Sequence, residues 1–301
     1  MNKIILQDLL DKLEHVSFKG NPLSKIIGIT NLEDPIESEG LIRWSNLKNL
    51  ERIERINHGT FILDVQSKSF LKTKSSCNYI FVESPRYAFQ KVLGILHPNK
   101  SDWNIAKSAV IGSTSDINNN VSIGHNVVIG NGCQIFDKVV IGHNTIIHDN
   151  TIIESNVQIG ANCTIGGVGF GYEKNPHGEY ELIPHIGNVL IKKNAHIGNN
   201  TCIDRAVMGS TVIGENVKVD NLVHIAHGVE IKDNALIIAN AMLGGSVTVG
   251  KNVWVAPSSA IINKATLGDD SLIGLGAVVV KNVEPQSVVV GNPAKPLKKK
   301  L

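Results

Sequence analysis

The densest polar cluster in the chain is Asp220-Asn221-Leu222-Val223-His224-Ile225-Ala226-His227, and Gly245 follows 18 residues after His227 within Leu243-Gly244-Gly245-Ser246. A histidine beside the backbone amide of a residue without a side chain suits acyl transfer. The imidazole takes the proton of an attacking nucleophile, and the amide N–H holds the developing oxyanion. Asp220 is the candidate to orient the imidazole through its other ring nitrogen. Two other readings compete with a general base. His224 and His227, joined by a histidine such as His196 from a neighbouring subunit, would make a zinc site of the kind that hydrates substrates. Residues three apart on a strand face opposite sides unless a turn intervenes, which counts against that pairing. The third reading is purely structural.

The remaining histidines carry less. His125 and His143 are 18 apart and are expected to stack as solvated residues on one face. His177 and His185 fall in a segment where contact with a substrate is expected.

The elements that must position these groups follow from a period of six. Isoleucine recurs from Ile105 to Ile165 without a slip and resumes at Ile191, Ile197 and Ile203. After a short insertion around Ala206–Ser210, aliphatic residues carry the period from Ile213 to Val279. Neither 3.6 nor 2.0 residues explains this spacing. It is the mark of a parallel β-helix, with three repeats to a triangular coil of about 18 residues and roughly nine coils in all. Each aliphatic residue points inward, and Gly and Asn are expected at turns that need unusual backbone angles. Gly166–Gly187 cannot continue the prism, so it must loop out, and long loops on a rigid scaffold tend to carry function. His227, two places after inward Ile225, is expected to point outward near a corner where a neighbouring subunit packs.

Residues 1–100 lack the period and read as a small α/β domain. Leu6, Leu9, Leu10 and Leu13 form a helix face. Gly59–Asp64 and Asn78–Val82 read as strands. Ser84-Pro85 reads as an N-cap followed by an N1 proline before a helix carrying Tyr87, Val92, Leu93 and Leu96. The expected organisation is thus 1–100, a prism over 101–290, and a short basic tail over 291–301. Of the 301 residues, 42% are apolar and 19% charged, a soluble globular balance. A net charge of +2 argues against a nucleic-acid surface spread over the chain. No apolar run approaches the ~20 residues of a membrane span. The start MNKIILQDLLDKLEH does not read as a secretory signal. Cys77, Cys133, Cys163 and Cys202, widely spaced, read as reduced thiols of a cytoplasmic protein.

Four elements together resemble a known family: Ile165-Gly166-Gly167-Val168-Gly169-Phe170-Gly171-Tyr172, Ile183-Pro184-His185-Ile186-Gly187, Ile203-Asp204-Arg205, and Asp220-Asn221 with Ile225-Ala226-His227. They are similar to the UDP-3-O-acylglucosamine N-acyltransferases, hexapeptide-repeat enzymes that make a lipid A precursor. The likeness covers nearly the whole chain and is strongest over 160–250, with Ser84-Pro85-Arg86-Tyr87-Ala88 also fitting. It implies a mostly β fold, a left-handed parallel β-helix with a small N-terminal α/β domain, and a homotrimer with active sites in clefts between subunits. It also implies an acyl thioester donor and no tightly bound cofactor or metal. His227 takes the place of the catalytic base, Asp220 and Asn221 that of its neighbours, and Gly245 that of the oxyanion donor, with His224 expected among the substrate-binding residues. The loop Gly169–Tyr172, with Phe170 and Tyr172, matches the segment bordering the acyl-binding region, and His185 is expected to contact substrate.

The sequence departs from the family at three places. Around Arg43-Trp44-Ser45-Asn46-Leu47-Lys48-Asn49 it keeps Asn46 and Lys48 of the nucleotide pocket. Arg43 and Asn49 stand where two aromatics would sandwich uracil, which points to another base or to a pocket built on Trp44. Lys264 stands where a further family histidine falls, keeping a cation without a neutral base near pH 7. The chain closes on Gly291-Asn292-Pro293-Ala294-Lys295-Pro296 and Lys298–Lys300, similar to coenzyme A-dependent sugar acetyltransferases, where the family usually has helices for acyl carrier protein. Two substrate readings follow: a hydroxyacyl transfer from acyl carrier protein in lipid A synthesis, or a short-chain transfer from coenzyme A to a UDP- or dTDP-linked amino sugar of a surface polysaccharide.

Overall fold

The computed structural model describes residues 4–14, 16–98 and 103–297, so the Lys298–Lys300 run lies outside the described residues. The chain forms two compact units, 1–100 and 101–301.

The first unit is a five-stranded sheet: β1 (Ser17–Lys19), β2 (Gly28–Ile29), β3 (Leu41–Trp44), β4 (Gly59–Asp64) and β5 (Cys77–Val82), ordered β1-β5-β4-β3-β2. Only β1 runs antiparallel to its neighbour. Alternation along β4 and β5 feeds two cores. Ile42, Ile62 and Ile80 pack with Leu6 and Leu9 of α1 (Leu6–Leu10) and Val92 of α3 (Pro85–Leu96). Phe61, Leu63, Tyr79 and Phe81 pack with Ile53 of α2 (Leu50–Arg55). The sequence places the elements well, but Ser84 caps α3 by position only: its side chain accepts no bond from the helix N-terminus, whereas Pro85 does occupy the first turn.

The second unit is a prism of three sheets, with eight, ten and nine strands, most of them two residues long and all parallel except Lys295–Pro296, which closes the ten-stranded sheet antiparallel to Val288–Val290. Register shows the coil length directly: Gln134 pairs with Ile152, a step of 18. From Val121 to Val279 each repeat buries two positions, not one. The large aliphatic residue of the period is joined two places earlier by a small one, as in Val139 with Ile141, Ala235 with Ile237 and Ser271 with Ile273. A triangular cross-section has room for a bulky residue mid-face and a small one beside the corner.

The turns use asparagine as expected, while most of the glycines act otherwise. The left-handed residue of most turns is Asn, such as Asn144 (φ 59°), Asn156 (φ 61°) and Asn234 (φ 62°). The glycine that follows the large aliphatic residue has another purpose, close approach. A Cβ on Gly142 would lie 2.6 Å from the Ala161 amide nitrogen and the Gly160 carbonyl carbon of the next coil. His125 and His143 stack as expected, with ring centroids 5.4 Å apart.

Two insertions break the 18-residue step. Ile165 pairs with Ile203 and Cys202 with His224, steps of 38 and 22. The longer one projects as an antiparallel hairpin, Tyr172–Lys174 with Tyr180–Leu182. The segment that follows the hairpin meets the shorter insertion, Ile186 N–H donating to Val207 O at 2.9 Å and Gly187 N–H to Ala206 O at 3.1 Å.

The two turn roles separate by mutation. Gly142→Ala forces a backbone shift and should destabilise the second unit by about 1–3 kcal/mol. Asn156→Gly keeps the left-handed turn and should stay within about 0.5 kcal/mol of the parent in denaturant melts.

Candidate active site

The two insertions close around one edge of the prism, and His227 stands on that edge. It is the first residue of a tight turn whose second residue, Gly228, takes φ +68°. The turn is pinned from two sides: Ser246 N–H donates to His227 O at 2.9 Å, and Gly228 N–H to Thr211 Oγ1 at 2.9 Å. Directly above lies Gly245. A Cβ there would sit 2.8 Å from both Cε1 and Nε2 of the imidazole, so only glycine lets the ring lie flat along the coil above. The Gly245 N–H donates to Asn263 Oδ1 at 3.2 Å.

On its other side the ring meets the long insertion. His185, 7% exposed, stands edge-on to His227 with centroids 5.3 Å apart. Its Nδ1 donates to Ile183 O at 2.6 Å, which fixes the tautomer and leaves Nε2 without a partner. Gly169 wedges between the two rings: a Cβ would approach His227 Cβ to 3.0 Å and His185 Nε2 to 3.1 Å. The glycines of Gly169-Phe170-Gly171 thus let the loop lie against the histidines. Phe170 is thrown outward, 88% exposed, with its ring 5.0 Å from that of Tyr172. These two and Tyr180 line an open cavity of about 490 Å³.

The carboxylate at this site is Asp204, and Asp220 belongs elsewhere. Asp220 follows a strand of the ten-stranded sheet, whereas His227 follows a strand of the nine-stranded one. Asp220 accepts from the Asn221 amide at 2.7 Å and the Ala239 amide at 3.2 Å, so it shapes a turn at another edge and does not orient His227. Asn221 also serves that edge, its Oδ1 accepting from the Asn199 amide at 2.6 Å. His224 points outward from its strand, its Nε2 3.8 Å from Asp204 Oδ2. Asp204 occupies the place that Ala226 takes one coil later. A uniform 18-residue count misses this because the step at that coil is 22.

Burial, and next the neighbouring His185, lower the His227 pKa below the ordinary 6.5, while Asp204 raises it. The Asp204 carboxyl is itself pushed up by burial, against the pull of His224, His227 and His185. Lys264 forms the left-handed turn residue (φ 62°) of the coil above Gly245, donating its amide to Gly245 O at 2.9 Å with its side chain exposed. Among the described residues no three His, Cys, Asp or Glu side chains are grouped to hold a metal ion.

In the first unit, Trp44, Asn46 and Lys48 line a cavity of about 420 Å³ with Ser84, Pro85 and Arg86. It opens at the carboxyl ends of β3, β4 and β5 and the start of α3, where ligands of parallel sheets commonly sit. Arg43 does not line it. It is fully buried, its Nε donating to Asn31 O at 3.1 Å and its Nη2 to Asp34 O at 3.4 Å and to Ile36 O. The aromatic in this cavity is Trp44, packed on Phe89 at 6.1 Å.

The UDP-3-O-acylglucosamine N-acyltransferase of Campylobacter lari is 41% identical over 297 residues, 91% of this chain and 92% of its own. The chain belongs to this family. The enzyme of that name from Helicobacter pylori is 49% identical over 90 residues, 30% of this chain and 27% of its own. The bacterial transferase hexapeptide (six repeats) profile matches residues 138–167 and 210–245, on both sides of the insertions. Among solved structures, the UDP-N-acetylglucosamine acyltransferase of Campylobacter jejuni superposes with a TM-score of 0.57 at 22% identity, covering 64% of this chain and 74% of that one. That likeness establishes the left-handed parallel β-helix. No helix among the described residues is long and apolar enough to cross a membrane.

The ring environment sets a titration. His227 should titrate below 6.5 by NMR of its Cε1 proton. Asp204→Asn should lower it further, because the negative charge that favours the imidazolium is gone.

Proposed function

We propose that the protein transfers an acyl group from a thioester to the amino group of a nucleotide-linked amino sugar, UDP-3-O-acylglucosamine in the reading its family supports. The observation that carries this is the seating of the His227 imidazole against Gly245, whose missing side chain lets Nε2 lie beside a backbone amide, where a Cβ would approach it to 2.8 Å. The neutral amine attacks the thioester carbonyl carbon, forming the C–N bond as the carbonyl π electrons move to oxygen. His227 takes a proton from the amine nitrogen. The Gly245 N–H holds the oxyanion. As the C=O re-forms, the C–S bond breaks, and the thiolate leaves with the proton held by His227.

The other groups take supporting parts. Asp204 opposes the loss of basicity that burial imposes on His227. The open cavity at Phe170, Tyr172 and Tyr180 suits an acyl chain in size and character. Trp44 offers a stacking face for the base, with Asn46 for its polar edge and Lys48 and Arg86 for the phosphates. Exposed Phe170, Ile186 and Met208 beside the His227 edge support a homotrimer in which neighbouring prisms cover them. The donor in this reading is acyl carrier protein.

Free-thiol release measures this directly, with long-chain acyl carrier protein and acetyl-coenzyme A as donors and UDP- or dTDP-linked amino sugars as acceptors. Release from the carrier protein with UDP-3-O-acylglucosamine is expected. Turnover confined to acetyl-coenzyme A with another amino sugar would replace this reading with the polysaccharide one. His227→Ala should lower kcat by about 10²–10⁴-fold, and unaltered turnover in a folded variant overturns the base assignment. Gly245→Ala, whose methyl would lie 2.8 Å from Nε2, should fall comparably. The imidazole must be neutral to accept a proton and is neutral above its pKa. The acid limb of the kcat profile should therefore have its midpoint below pH 6.5 and show no further rise from this group above it.

A further inference from the structure

The amide that the proposed chemistry needs already has a partner within the chain. Gly245 is buried, and its N–H is held by the Asn263 side chain of the next coil. The bond belongs to a series in which the first residue of a turn donates to a side chain one coil on. His125 donates to His143 Nδ1 at 2.7 Å, Asn131 to Asp149 at 2.8 Å, Ala161 to Asn199 at 2.7 Å, Asn199 to Asn221 at 2.6 Å, Glu215 to Asp233 at 2.9 Å and Lys251 to Asp269 at 2.8 Å. At 3.2 Å, the Gly245 to Asn263 bond is the longest of the series. It is also the one whose donor lies against the imidazole of His227.

A buried N–H left bare costs about 1–3 kcal/mol, so some acceptor must hold it while the site is empty. The acceptor must then make way for the carbonyl oxygen of a thioester. A carboxylate, as at Asp149, Asp233 and Asp269, would hold the amide well but could only repel an oxyanion, since it has no proton to donate. Asn263 carries a carboxamide, with an acceptor on one side and two N–H donors on the other. Its Oδ1 is committed to Gly245, its Nδ2 makes no hydrogen bond among the described residues, and the side chain is exposed and free to turn. Rotation about its terminal torsion, which is broad and roughly two-fold, exchanges oxygen for nitrogen at the same place.

We infer that Asn263 is a second oxyanion donor. Its Oδ1 caps the Gly245 amide in the empty site. When the thioester carbonyl arrives, the carboxamide turns, so that Nδ2–H and the Gly245 N–H converge on the same oxygen. Two donors then share a charge that develops only in the transition state, which is where such groups act on rate. This inference rests on the acyl-transfer reading and on the place given to Gly245 in it.

The test uses the full-length protein with the donor and acceptor that support turnover in the thiol-release assay. Asn263→Ala removes both cap and donor and should lower kcat by about 10²-fold with little change in KM, as removal of a single oxyanion donor does. Asn263→Asp restores a cap of similar size, keeps the fold, and should be slower still because it sets a charge against the oxyanion. Asp269→Ala, which strips the matching cap from Lys251, should lower the melting temperature and leave kcat unchanged. A kcat for Asn263→Ala equal to or above that of the parent would overturn the inference, since Asn263 would then only cover the amide. In that case parental turnover and its loss in His227→Ala would leave the acyl-transfer reading standing. Absence of turnover in the parent with every donor would remove both.

Discussion

Most strands of the prism are two residues long, so almost none of its backbone hydrogen bonds close within a local element. Val128 donates to Thr145 O and Gly130 to Ile147 O, one coil further on, and the pattern repeats along the unit. A coil without its neighbours would leave its N–H and C=O groups to water, and its aliphatic residues would have nothing to stack on. Everything else depends on keeping successive coils in register. Bulky residues stack on bulky ones, the small residue two places earlier leaves room beside the corner, and glycine after the aliphatic residue lets turns approach. Asparagine takes the left-handed angle and often ties one turn to the next through its side chain, as Asn126 does to Asn144 at 3.2 Å.

The candidate site arises where that register is disturbed and then recovered. Inserting residues between two coils does not alter the spacing of the coils themselves, so the extra chain must leave the prism at an edge. Both insertions do so at adjacent levels and bond to each other through Ile186 and Val207. The result is a patch where a buried and a half-buried imidazole, a carboxylate and a glycine amide sit on a rigid frame. The frame matters for the chemistry because the histidine and the amide are held by consecutive coils, with little freedom to drift apart.

Much of this was legible in the sequence. The period of six makes the prism readable, because one residue type recurs at a spacing no other regular structure explains. His227 and Gly245 could be paired before any coordinates by counting one coil. Counting failed where the coil length changed. Asp204 lies near the histidines only because the step there is 22, while Asp220, nearer in sequence, turns away to another edge. The second inward position was hidden because Val, Ala, Thr, Cys and Ser all serve it, and no single chemistry marks it. Arg43 stands at a motif position where an aromatic of the nucleotide pocket would fall. Its neighbours alternate along β3, and that alternation sends its side chain inward and Trp44 to the opposite side.

The stacking of coils also gives the molecule a graduated axis. Adjacent strands in a sheet stand about 4.8 Å apart, so any two groups on the same edge are separated by a whole number of such steps. His227, Gly245 and Asn263 occupy three consecutive marks. Gain or loss of one complete coil would move everything beyond it by a single step, leaving the residues on each mark facing as before. Change along this axis is therefore discrete. A lineage can lengthen or shorten the reach between two contacts by counting, without redesigning either one.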